Sequence, residues 1–123
     1  MMKRIPILIL LFTFIFQFGN AQEIELPLGK IVDSIPTADT TASNFAIYLP
    51  QNFNQKEQWP VIFVFDHEGR GRATTQLFRT VAEEQSYIIA SSNLNLKQDS
   101  LKNNLDKVAP FINQVDGMLS IDR

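Results

Sequence analysis

The sequence predicts an α/β fold with parallel strand pairing, on three observations. Pro60-Val61-Ile62-Phe63-Val64-Phe65 is apolar on both faces, the pattern of a strand covered from above and below. A polar turn with two glycines, Asp66-His67-Glu68-Gly69-Arg70-Gly71, follows it at once. An amphipathic stretch and a second apolar run, Tyr87-Ile88-Ile89-Ala90-Ser91-Ser92, come next, spaced as in a right-handed βαβ unit. In such sheets ligand chemistry gathers beyond the carboxyl ends of the strands, where that turn falls.

Residues 1–21 read as a cleaved signal peptide. Lys3 and Arg4 form its positive region, and 5–18 its apolar region. Gly19-Asn20-Ala21 supplies small residues for cleavage after Ala21. An apolar run of about fourteen residues falls short of the roughly twenty that span a bilayer. The expected location is therefore secreted or periplasmic, with no stable membrane span after cleavage. Residues 22–123 then make one small domain.

Within that domain, weak alternation from Ile24 to Ile35 predicts an irregular edge strand between Leu26 and Ile35, ended by Pro36. A polar turn over 37–43 leads to a second strand, Asn44-Phe45-Ala46-Ile47-Tyr48-Leu49, with Phe45, Ile47 and Leu49 on one face. Pro50 stops it. After a polar loop, Trp59-Pro60 opens the third strand, Trp59 packing at its entrance. Thr74 is the expected cap of a helix running to about Ser86. Leu77, Phe78, Val81 and Ala82 form its apolar stripe, and Gln76, Arg79, Glu83 and Glu84 face away. Asp99 or Ser100 caps a last helix with a stripe of Leu101, Leu105, Val108, Ile112 and Val115. Pro110 is expected to kink or divide it, and Gly117 to end it.

Composition excludes several classes. Without Lys3 and Arg4, nine of the eleven basic residues remain against thirteen acidic ones, and no basic stripe tracks phosphates. Nucleic-acid binding is not expected. With no Cys, disulfides, thiol chemistry and thiolate metal sites are absent, and the domain relies on packing.

Taken together, Phe45-Ala46-Ile47-Tyr48-Leu49-Pro50, the run from Trp59 to Asp66, the Gly turn and Ala82-Glu83-Glu84-Gln85-Ser86-Tyr87-Ile88-Ile89 resemble the amino-terminal half of an α/β-hydrolase. The nearest group is secreted esterases and peptidases, including dienelactone-hydrolase-like proteins. The resemblance covers residues 45–123 and rests on order and spacing. It implies part of a three-layer sandwich, with a mostly parallel sheet and antiparallel amino-terminal strands. In that family a His-Gly turn after the third strand lends a backbone N–H to the oxyanion hole. Here Glu68-Gly69 stands at that place, with His67 one residue earlier. The resemblance makes the amides of Gly69, Arg70 and Gly71 the oxyanion candidates, with Asp66, His67 and Glu68 beside them.

The family's nucleophile lies in a G-x-S-x-G elbow, followed by the acid and the His. No serine of this chain has glycine on both sides. The run 118–123 resembles the approach to the elbow strand, so the expectation is a fragment truncated before its nucleophile. No catalytic triad residue is present in it. The complete parent would take a small-molecule or peptide substrate at an ester or peptide bond, with no cofactor. The fourth strand would be left with an open apolar edge.

Other readings of the turn are weaker on physical grounds. His67 precedes every nucleophile candidate, and Asp66 beside it points to the opposite side of an extended chain. Three consecutive residues, Asp66, His67 and Glu68, do not converge on one ion, so no metal is expected. Arg70 and Arg72 before a helix suit an anion, but Gly69-Arg70-Gly71 lacks a nucleotide fingerprint. Two readings from other classes remain open: a small secreted ligand-binding domain, and an interaction domain that completes its sheet with a partner strand.

Overall fold

The computed structural model describes residues 25–38 and 43–119. The predicted signal peptide, residues 39–42 of the first polar turn, and residues 120–123 lie outside them. Four strands form one sheet: β1 (Ile31–Pro36), β2 (Asn44–Tyr48), β3 (Val61–Phe65) and β4 (Ile88–Ser92). Helix α1 (Gly71–Gln85) joins β3 to β4, and α2 (Leu101–Met118) follows β4. The spatial order is β1-β2-β4-β3. β1 with β2 and β2 with β4 run antiparallel, while β3 and β4 are parallel from Val61↔Ile88 to Phe65↔Ser92. The α/β class and the parallel βαβ unit are observed. The sheet is mixed rather than mostly parallel, because β2 lies between β1 and β4 and opposes both.

The pleat sorts the core into two layers. Phe45, Ile47 and Leu49 of the β2 segment join Ile88 and Ala90 of β4 against Phe111 and Val115 of α2. Tyr48 and Ile89 point the other way and meet Ala82 of α1, with Phe78, Ile62 and Val64 packed around them. Helices therefore cover both faces of the sheet. Phe111 is the centre of the α2 layer. Its ring lies 5.1 Å from Phe45, 5.5 Å from Phe63 and 5.7 Å from Phe65, with the last two edge to face.

Both helix stripes are partly rotated from the predicted ones. Phe78 and Ala82 of α1 and Ile112 and Val115 of α2 pack on the sheet as expected, and the other members shift outward. In α1 the buried residues are Gly71, Thr75 and Ala82, whereas Leu77 is 76% exposed and Val81 42%. In α2 they are Asn104, Phe111 and Val115, whereas Leu101 and Leu105 are exposed. Neither rotation is arbitrary. Glu83 of α1 reaches Tyr48 of β2, and Gln114 of α2 bonds Pro36 O at the end of β1. Each helix thus places its polar flank over the β1–β2 side. In α2 the apolar flank of Leu101, Leu105 and Val108 turns toward Phe65 of β3.

Helix boundaries differ from expectation for local reasons. α1 begins at Gly71, a turn before the expected Thr74 cap. The Thr74 hydroxyl bonds inward to Gly71 O at 3.0 Å, so it cannot serve as a cap. α2 is capped by Ser100, whose side chain accepts from Asn103 N. It runs unbroken through Pro110 to Met118 and passes Gly117. Pro110 deletes one helical bond, and Phe111 and Val115 on the buried side hold the helix on the sheet.

The open edge is also on a different strand. β4 is central, between β2 and β3, and all five of its residues are buried. Among the described residues β3 has one strand neighbour, and Val61, Ile62, Phe63 and Val64 are half-buried with Phe65 36% exposed. The expectation of an open β4 edge fails because a βαβ crossover brought β4 inward beside β2. At the opposite side, β1 is blunted by a register shift between Val32 and Ile35 and by Ser34 at φ 58°.

Candidate functional site

The turn 66–71 and the loop 93–97 meet beyond the carboxyl ends of the parallel pair β3 and β4. Leu96 N donates to His67 O at 3.2 Å, and Lys97 Nζ lies 2.7 Å from Glu68 Oε1. Gly69 adopts φ +70°, and a Cβ built there would come within 2.5 Å of Asn93 O. Glycine is required at 69 on both counts, conformation and clearance.

Asp66 organises the turn from inside. Its Oδ2 accepts from Glu68 N at 3.0 Å, Arg70 N at 3.1 Å and Arg70 Nε at 2.9 Å. Its Oδ1 accepts from Arg70 Nη2 at 3.0 Å. The Arg70 guanidinium, seconded by the Arg70 amide, holds the Asp66 carboxyl well below the usual carboxylate range. Glu68 Oε2 lies 3.6 Å from the same guanidinium, so Asp66, Arg70, Glu68 and Lys97 form one chain of charges across the two loops.

The three amides singled out from the sequence each have an acceptor within the chain. Gly69 N donates to Asp66 O at 3.0 Å, Arg70 N to Asp66 Oδ2, and Gly71 N to Asn93 Oδ1 at 2.8 Å. As it stands, the turn is a cradle filled by its own carboxylate and by a neighbouring amide side chain. His67 and Glu68 are exposed, and Asp66 faces inward. Among the described residues no group of three His, Asp or Glu side chains could hold a metal ion.

Asn93 is the residue that sequence reasoning missed. Besides accepting from Gly71 N, its Nδ2 donates to Asp33 Oδ1 at 2.9 Å and Asn44 Oδ1 at 2.6 Å. One side chain therefore ties the start of α1 to β1 and β2. Beneath it, Thr75 Oγ1 bonds Gly71 O at 2.7 Å and lies 2.8 Å from Ser91 Oγ, so two fully buried hydroxyls are satisfied. The only sequence hint was an Asn placed directly after a buried strand.

Glu83 is a second departure. It was expected on a solvated face, yet its Oε1 accepts the hydroxyl of fully buried Tyr48 and the amide of Gln51 at 3.1 Å. Burial, then Glu83, pushes the Tyr48 hydroxyl above its ordinary pKa, with Arg79 opposing. Arg79 stacks 5.6 Å from the centre of the Tyr48 ring.

An apolar groove of about 480 Å³ borders the turn, lined by Phe65, Leu96, Leu101, Leu105 and Val108, with Asp99 at its rim. Buried Asn104 closes its floor and donates to Leu96 O at 3.0 Å. No helix among the described residues is long and apolar enough to cross a membrane. No family model and no curated protein matches the chain.

Proposed function

We propose that the chain is the amino-terminal half of an exported serine hydrolase of the α/β-hydrolase type. In the complete parent the substrate is an ester or peptide, attacked at its acyl carbon by a serine on the strand that follows α2. The observation that carries this reading is the apolar edge of β3 beside the turn 66–71, which has no strand neighbour other than β4 among the described residues. A strand laid there parallel to β3 would deliver its carboxyl end to that turn. The exposed apolar side chains Leu101 and Leu105 of α2 support it, since they line a groove with Phe65 of β3 that a larger sheet would cover.

In this reading the turn contributes a main-chain donor to the developing oxyanion. Arg70 N would have to leave Asp66, or Gly71 N leave Asn93, for either to serve. No serine of these 123 residues stands in a Gly-x-Ser-x-Gly elbow, so in this reading the covalent chemistry belongs to the rest of the parent. The test is the reading frame beyond codon 123. A strand ending in Gly-x-Ser-x-Gly, whose product labels with a fluorophosphonate, is the expected result. A stop codon with a monomeric, cooperatively melting product sinks the reading.

One observation favours a second reading, an interaction domain without catalysis. The β3 edge is as well suited to a strand from another chain as to one from its own.

A further inference from the structure

We draw no further inference here: the strongest candidate, the apolar groove between Phe65 of β3 and Leu101, Leu105 and Val108 of α2, over the buried and unpartnered Asn104 Oδ1, carries nothing because nothing in the structure shows what covers it.

Discussion

Asn93 Oδ1 lies 2.8 Å from the amide of Gly71, so a side chain from the loop after β4 caps the helix that follows β3. Arg70, the residue at the cap position, makes no side-chain capping bond. The helix start is thus specified by tertiary structure instead of by its own sequence.

Asn93→Ala removes that cap and strips Asp33 and Asn44 of a shared donor. Urea denaturation should show a loss of about 2–3 kcal/mol, combining a lost cap with unsatisfied polar groups. Asn93→Asp keeps the acceptor for Gly71 N but sets a carboxylate against the Asp33 carboxylate, so it should not restore full stability.

Two glycines give opposite outcomes on substitution by alanine. A Cβ at Gly71 would lie 2.3 Å from Asn93 Oδ1 and 2.8 Å from Ser91 O, so Gly71→Ala should destabilise by about 1–3 kcal/mol. A Cβ at Gly117 meets nothing within 4 Å, inside a helix. Gly117→Ala should stabilise by about 0.5–1 kcal/mol through helix propensity. Thermal melts of the two variants check the sign of each.

Phe111→Ala should cost about 3–5 kcal/mol, because the ring joins Phe45, Phe63 and Phe65 in one cluster. Leu105→Ala on the same helix removes a side chain that is 58% exposed and should cost under about 0.5 kcal/mol. Similar losses for the two in denaturant would contradict the observed rotation of α2.

Acid should loosen the turn 66–71. The Asp66 pKa is depressed in the folded chain, so its stabilisation is complete above the unfolded value near ~3.9 and is lost as pH falls below it. Asp99, lowered by Asn103 and by the Ser100 amide, acts in the same direction. Stability measured between pH 5 and 2 should fall less steeply in Asp66→Asn than in the unaltered chain.

Alkali should act through Tyr48. Its pKa is raised on folding, so stability begins to fall as pH passes the unfolded value near ~10. Tyr48→Phe should remove that alkaline slope. At neutral pH it should cost about 1–3 kcal/mol by leaving Glu83 without the phenol donor.

Element type was legible in the sequence because it rests on local periodicity. The double-faced apolar run at 61–65, the turn 66–71 and the buried run at 88–92 gave the parallel pair directly. Strand order was not legible, since nothing local in β4 says that it inserts between β2 and β3. The helix stripes were legible only in part, through Phe78, Ala82, Ile112 and Val115, for a related reason. A stripe of Leu101, Leu105 and Val108 satisfies helical spacing, yet Phe111 and the bond from Gln114 to Pro36 O decide which side faces the sheet. The turn was correctly located but not its internal wiring, because the bonds of Arg70 to Asp66 and of Gly71 N to Asn93 follow from no spacing rule. Glu83 escaped notice because its partner, Tyr48, lies thirty-five positions away.

The bond from Leu96 N to His67 O, together with the Lys97–Glu68 pair, means that the two loops cannot shift independently. A reporter group at exposed Gln98, next to Lys97, would therefore register events at position 67 while leaving the Lys97–Glu68 pair in place. Labelling a cysteine-free chain at that one engineered site turns the coupling into an optical signal.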